Sequence, residues 1–436
     1  MKTLYFLLLG FLPFTTSISQ SAYYPPLSNT AIWETTSPVS LGWSNDKKDT
    51  LYRFLEQENT KAFIVLKDGK IVLEKYFGTF KADSVWYWAS AGKTLTSFLV
   101  GKAQEEGYLS INEATSKYLG TGWTGCTLAQ ENAITLRHQL TMSTGLDDGV
   151  VDNHCTTASC LQYKANPGTR WAYHNAPYTL LEKVLENATS SNINLYTQAK
   201  LKSKTGITGL WAMVESDNVF FSTARSMARY GLLMQQKCVW KTDTLLRDKD
   251  YIDAMTVPSQ QLNKSYGYLW WLNGQANYML PTVQYVFSGS YAPAAPADMY
   301  AGLGKNGQIV SISPSKGLVV IRMGNEPSGS ASEVPNQFCN LIWQKLNDAM
   351  QANTEIKELQ SVDFEVFPNP THKHLSIKCE GKIEALTVFN VTGKQYDVEF
   401  LPNSTSIINV SFMPKGAYFV SVFSNKKYHR KLFIKE

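Results

Sequence analysis

Apolar and polar positions fall into distinct regimes along the chain. An apolar run from Leu4 to Phe14 follows Lys2 and gives way to small polar residues ending at Ser21, the layout of a cleaved export signal over residues 1–21. That run is shorter than the ~20 residues a bilayer span needs, so no stable membrane insertion is expected. Further on, Phe63-Ile64-Val65-Leu66 and Ile71-Val72-Leu73 flank the polar turn Lys67-Asp68-Gly69-Lys70, which predicts a β-hairpin within residues 61–76. From Lys93 to Glu106 the spacing is helical and strongly apolar, with Gly107 as its stop. Helical runs near Leu136–Met142, Tyr178–Asn187 and Ser222–Gln235 fill the middle of the chain, and strand patterns return around Tyr266–Leu272, Ile309–Ile312 and Leu318–Met323. A sheet supplied by both ends of a segment, with helices inserted between, is an α+β plan.

The pattern changes after Trp343. A polar, helix-prone stretch leads into short alternating runs such as Leu375-Ser376-Ile377 and Leu386-Thr387-Val388-Phe389, the pattern of a small β-sandwich. With 436 residues the chain exceeds what one core usually holds. The expected division is a main domain over 22–346, a linker over 347–361 and a C-terminal β domain over 362–436.

The formal charge of +5 is small for this length, and basic residues cluster only at Lys426, Lys427, Arg430 and Lys431, so no nucleic-acid partner is expected. Six cysteines in an exported chain are compatible with disulfides, although six allow fifteen connectivities. Cys155 and Cys160, close together in a loop-like stretch, form the safest pair. A zinc site is the rival there, and no His-x-x-x-His or Cys-x-x-Cys supports it.

The chemistry starts from a serine and a lysine three residues apart. Four such pairs occur: Ser44 with Lys47, Ser90 with Lys93, Ser313 with Lys316 and Ser424 with Lys427. Ser44 reads as a helix N-cap, Ser313 as part of a proline turn and Ser424 as part of the terminal β module. Ser90 differs, because Trp86-Tyr87-Trp88-Ala89 leads into it and an apolar helix with Leu95, Phe98, Leu99 and Val100 follows. Residues three apart on a first turn share a face. Burial there favours the neutral amine of Lys93, which can then accept the Ser90 proton. Downstream, the turn Pro167-Gly168 presents Tyr173 and Asn175 together, Tyr173 as a proton relay and Asn175 as a hydrogen-bond partner for a substrate carbonyl or Lys93. His138 and His174 are read as packing or surface residues, and His154 has no assigned role.

Ser90-Ala91-Gly92-Lys93 together with Tyr173-His174-Asn175 resembles the Ser-x-x-Lys and Tyr-x-Asn motifs of class C β-lactamases and related esterases and peptidases of the penicillin-binding-protein superfamily. Leu140 to Leu146 and Ser222 to Arg229 add to the likeness, which covers roughly residues 45–345. The resemblance implies a β-lactamase/transpeptidase-like fold, an antiparallel sheet flanked by helices with a helical subdomain, and acyl transfer through Ser90 that requires no metal or organic cofactor. The family's third motif should fall near Met299-Tyr300-Ala301-Gly302, where no lysine stands. Its absence argues against a β-lactam or cell-wall peptide and favours a small-molecule ester or amide as substrate. The oxyanion-binding positions are placed at Ala301 and Gly302, beside the Ser90 backbone N–H, and Lys305 is read as a solvated loop residue. A D-amino-acid peptidase, a β-lactamase and a non-catalytic surface receptor are the alternatives.

The tail carries a second resemblance. Phe367-Pro368-Asn369-Pro370, Val391-Thr392-Gly393-Lys394 and Lys415-Gly416-Ala417-Tyr418-Phe419 are similar to the C-terminal sorting domain of type IX secretion cargo. That implies the secretion machinery as a partner and a secreted or cell-surface location. A carbohydrate-binding sandwich is the alternative.

Overall fold

The computed structural model describes residues 22–28, 31–328, 334–351, 364–425 and 427–436. The export signal expected at 1–21 lies outside them, as does most of the expected linker. The chain divides into two compact units, Met1–Ala352 and Asn353–Glu436.

In the first unit the elements that position the site are α1 (Asn45–Gln57), β1 (Thr60–Lys67), β2 (Lys70–Tyr76), β3 (Val85–Tyr87), α2 (Lys93–Glu105), α3 (Asn175–Thr189), β4 (Leu210–Val214), β5 (Asp217–Thr223), α4 (Ala224–Gln235), β6 (Trp271–Leu272), β7 (Tyr300–Gly304), β8 (Gln308–Ser313), β9 (Leu318–Gly324) and α5 (Asn336–Met350). The expected hairpin is β1 and β2. They join β9, β8, β7 and β6, in the order β2-β1-β9-β8-β7-β6, in one antiparallel sheet.

Both faces of this sheet are covered, so its central strands read as continuous apolar runs and not as alternating ones. β8 shows how alternation divides the faces. On one side Gly231 of α4 packs so closely that a Cβ there would come 3.3 Å from Val310 and 2.4 Å from Val319. On the other, the indole N–H of Trp343 in α5 donates to Ser311 at 3.1 Å. Ser44 caps α1, accepting from the Lys47 N–H at 3.3 Å, which is the role its sequence suggested.

Three expectations shift in detail. The strand pattern at Tyr266–Leu272 yields only β6, because Leu269 adopts a left-handed φ of 63° that folds the chain back on itself, with Tyr266 bridging Trp271. The helix expected from Ser222 starts at Ala224; Ser222 and Thr223 finish β5, and the Thr223 hydroxyl caps α4 by accepting from the Ser226 N–H at 3.2 Å. Residues 347–350 of the expected linker are helical. α5 runs to Met350, with Ala349 buried and Asn347 donating to the Ala294 carbonyl at 2.6 Å, so these residues belong to the main unit.

The C-terminal unit has a core of its own, built from residues such as Leu375, Ile377, Val388, Ile408, Val420 and Phe433. Its strands form a three-stranded sheet, Glu365–Phe367, His374–Lys378 and Thr405–Asn409, and a four-stranded sheet, Gln395–Tyr396, Ala385–Asn390, Gly416–Ser424 and Lys427–Lys435. Two antiparallel sheets around one core make the small sandwich that the alternating runs predicted. Among the described residues no helix is long and apolar enough to cross a membrane.

Candidate active site

Ser90 owes its position to a turn between a strand and a helix. β3 pairs with β5, and the Trp88 N–H donates to the Phe220 carbonyl at 2.8 Å, extending that pairing to the edge of the turn. The Trp88 indole, fully buried, donates to Ser222 at 2.7 Å. Ala89 then takes a left-handed φ of 46°, a conformation an alanine holds only where its surroundings enforce it. A short 3-10 turn, Ala89–Gly92, carries Ser90 into α2, whose residues from Lys93 to Gly101 are all buried.

Lys93, 4% exposed, places its Nζ 2.9 Å from Ser90 Oγ and 2.9 Å from Asn175 Oδ1. Its Nζ also lies 4.2 Å from the ring centre of Tyr178 and 5.2 Å from that of Tyr173. Asn175 is the first residue of α3, with Pro177 in the first turn where its missing N–H costs little. The preceding segment is tied down by backbone bonds from Gly168 to Ser143 and from Ala172 to Met142, which explains why the stretch Leu140 to Leu146 accompanies the Tyr173–Asn175 motif. Tyr173 stacks on Trp271 at 5.9 Å and meets Tyr266 edge-on at 6.3 Å. Trp271 is thus a buried support behind Tyr173, whereas Trp270 packs on Tyr230 and Tyr300 in the core.

Ser90, Lys93, Tyr173 and Asn175 line one cavity of about 450 Å³, together with Tyr87, Asp152, His154, Asp217, Phe221 and Lys305. Ala301 and Gly302, the expected oxyanion positions, are not among its lining residues. Gly304 is the strand residue that meets the nucleophile: a Cβ on it would lie 2.6 Å from the Trp88 carbonyl, 2.8 Å from the Ala91 N and 3.0 Å from the Ser90 N. Gly302 faces the same side one pleat away, against Ala91 O and Thr94. Counting along the strand with period two could have found Gly304.

The turn after Gly304 places Lys305 and Asn306 in the cavity lining, with Lys305 itself exposed to solvent, as its reading as a solvated loop residue expects. Asn306 donates to the Tyr87 hydroxyl at 2.7 Å. Arg322, fully buried in β9, holds this turn from behind by donating to the carbonyls of Asn306 at 2.5 Å and Gly307 at 3.1 Å. It also reaches Glu58 O, Asn325 O and Thr60 Oγ1. Burial pulls its guanidinium down to about 9.

Sequence reasoning missed the opposite rim. His154 Nδ1 is 2.6 Å from Asp217 Oδ2, and its Nε2 is 3.2 Å from Asn175 Nδ2. Burial acts to raise the Asp217 carboxyl, but the His154 hydrogen bond, with the charges of His154 and Lys93 and a bond from Thr179, outweighs it and holds the group below the usual range. His154 immediately precedes Cys155, whose disulfide with Cys160, the pair expected from sequence, closes the following loop. Among the described residues no cluster of three or more His, Cys, Asp or Glu side chains could hold a metal. His174, between Tyr173 and Asn175, is 2% exposed, and burial drives it down to about 4, so it is neutral. His138 Nδ1 serves the cap at Thr135, 3.1 Å from its N–H.

The β-lactamase family model matches residues 55–337, and that for the secretion system C-terminal sorting domain matches residues 365–436. Among curated proteins the chain is similar to protein flp of Staphylococcus aureus, at 25% identity over 184 residues, a match spanning 35% of this chain and only 36% of that relative. A crystal structure of a putative β-lactamase from Bacteroides dorei superposes with a TM-score of 0.55 at 16% identity, over 71% of this chain and 99% of the other. A putative 6-aminohexanoate-dimer hydrolase from Bacillus anthracis gives 0.57 at 16% identity, over 76% and 89%. At such identities the superpositions speak for the fold alone, whereas the family model covers well over half the sequence, with the Ser90, Lys93, Tyr173 and Asn175 cluster inside it. The chain belongs to the β-lactamase family and ends in a secretion-system sorting domain.

Proposed function

We propose that this protein is an exported serine hydrolase that cleaves an ester or small amide through an acyl-enzyme on Ser90. The observation that carries this reading is the position of Lys93 Nζ, buried and 2.9 Å from both Ser90 Oγ and Asn175 Oδ1. Lys93 takes the Ser90 proton as Oγ attacks the substrate carbonyl. The tetrahedral oxyanion is met by the Ser90 N–H and by backbone of the segment from Gly304 to Asn306. Tyr173 and Lys93 pass the proton to the leaving group, and water then attacks the acyl-enzyme with the same groups returning a proton to Ser90. Tyr87, Val214, Val219 and Phe221 give the cavity an apolar side suited to an uncharged acyl chain. The sorting domain would hand the protein to a type IX secretion system, for a secreted or cell-surface location.

A second reading, a D-amino-acid peptidase or β-lactamase, gains support from Lys305, a cation in the cavity that can meet a substrate carboxylate. The test is labelling with a fluorophosphonate followed by peptide mass spectrometry, then turnover of short-chain esters beside a chromogenic cephalosporin. Labelling confined to Ser90, reduced at least about 1,000-fold in Ser90→Ala and ~100-fold or more in Lys93→Ala, is the expected result. Folded protein that takes no label would sink the hydrolase reading and leave a binding protein. Faster turnover of the cephalosporin than of any ester would favour the second reading.

A further inference from the structure

The proton path from Ser90 to Lys93 leaves one part of the polar network without a task. Beyond Lys93 the contacts continue from Asn175 Oδ1 to its Nδ2, from there to His154 Nε2 at 3.2 Å, and from His154 Nδ1 to Asp217 Oδ2 at 2.6 Å. The far end is itself anchored. The other Asp217 oxygen accepts from the Thr179 hydroxyl at 3.0 Å, and the His154 backbone N–H donates to Asp152 Oδ1 at 2.9 Å. The groups come from four separate segments: α2, the start of α3, the loop just ahead of Cys155 and the hairpin of β4 and β5.

Donor and acceptor chemistry gives this chain a direction. The Asp217 carboxylate can only accept, so His154 carries its proton on Nδ1 and presents a lone pair on Nε2. That lone pair accepts from the Asn175 amide N–H, which leaves the amide oxygen facing Lys93. If His154 takes a second proton, Nε2–H opposes the amide N–H. That contact then breaks, leaving the amide N–H₂ held only by Asn153 Oδ1 at 3.3 Å, and an amide that turns over presents Lys93 with N–H₂ in place of an oxygen.

We propose that His154, oriented by Asp217, is a positioning residue that fixes the Asn175 amide with its oxygen toward Lys93, and that protonation of His154 releases the amide and slows acylation of Ser90. This rests on Lys93 being the base for Ser90. The charged and titratable groups sharing the cavity or the network with His154 are Asp152 on its own loop, Glu215 and Asp217 on the hairpin, Tyr173 and His174 just before α3, Tyr178 on α3, Tyr87 on β3, Lys93 on α2 and Lys305 after β7. His174 stays neutral through the relevant range.

The experiment follows the rate of Ser90 labelling by a fluorophosphonate between about pH 5 and 9, bracketing the range in which imidazoles titrate. In that reaction the Ser90 O–P bond forms, fluoride leaves and the serine proton passes to Lys93. His154→Ala should label about 10- to 100-fold more slowly than the parent at the alkaline end, the scale on which misplaced catalytic groups lose rate. His154→Gln places a non-titrating acceptor near the Nε2 position. It should label within about 3-fold of the parent at the alkaline end, with a shallower acid limb because one of two protonations is gone. Equal rates and profiles for the parent and His154→Ala overturn the inference, as does a Gln variant no faster than the Ala variant. Should His154→Ala not fold, the Gln profile decides alone, an unchanged acid limb overturning the proposal. If the parent itself takes no label at Ser90, the hydrolase reading fails and the inference falls with it, an outcome distinct from a labelled parent matched by His154→Ala.

Discussion

Lys93 starts a helix buried without a break from Lys93 to Gly101, with Ser90 on the short turn leading into it, whereas Asp152, His154 and residues 215–218 reach the same cavity from a loop and a hairpin turn that are half-buried or exposed. The floor is fixed by a core that permits few alternatives: Trp88, Gly304 and the Ser90–Ala91 turn leading into α2 meet at backbone distance. The rim is fixed by side-chain bonds between segments far apart in the chain, such as His154 to Asp217 across 63 positions. A site divided this way can keep its reaction in the floor while its rim changes with substrate, because exposed loops tolerate substitution better than a packed helix start.

Gly304→Ala tests the rigidity of the floor most severely. Its Cβ would meet three backbone atoms at 3.0 Å or less, none of which can swing aside as a side-chain tip can. The expected result is a loss of Ser90 labelling of at least about 100-fold with roughly 1–3 kcal/mol of destabilisation, measured by labelling rate and denaturant unfolding. Near-parental activity would show that the floor is less rigid than its contacts imply.

His174 tests the junction of floor and rim through pH. Its imidazole is held neutral, down to about 4 from an ordinary 6.5, so the unfolded chain binds a proton that the folded chain refuses. Stability is therefore complete above about pH 6.5 and falls as the pH drops toward 4, by up to roughly 3 kcal/mol. Plots of Tm against pH for the parent and His174→Leu should differ in slope between about pH 6.5 and 4, the variant lacking this acid sensitivity. A variant as acid-sensitive as the parent would assign the effect to other groups.

The smallest effect belongs to the rim's own staple. Replacing Cys155 and Cys160 with serine opens a short loop, worth about 2 kcal/mol in the unfolded-chain account. Tm should fall by no more than about 5 °C. KM for a small ester should rise more than kcat falls, since the loop directly follows the lining residues Asp152 and His154 and does not carry the nucleophile. A collapse of kcat with unchanged KM would place the loop with the floor.

Much of the floor was legible because its signals are local. The hairpin of β1 and β2, the apolar run of α2 with its Gly107 stop, and the spacing of Ser90 to Lys93 each lie within a few turns or one strand pair. Gly304 was missed in favour of Ala301 and Gly302 because a strand's register against a helix is set by pairing with its neighbours, and a two-residue slip keeps the same face. His154 and Asp217 carried no local signal at all.

What the amino-acid sequence determined by itself is the α+β plan, the separate C-terminal sandwich and the serine–lysine pair on a buried helix start, because hydrophobic periodicity and short spacings act through neighbours in the chain. Only the tertiary structure decided which glycine meets Ser90, that Lys305 enters the cavity, and that His154 and Asp217 extend the network beyond Asn175. Those choices depend on distances between segments that chain connectivity leaves free, and they are fixed only when the sheet, α2, α3 and the rim close around one cavity.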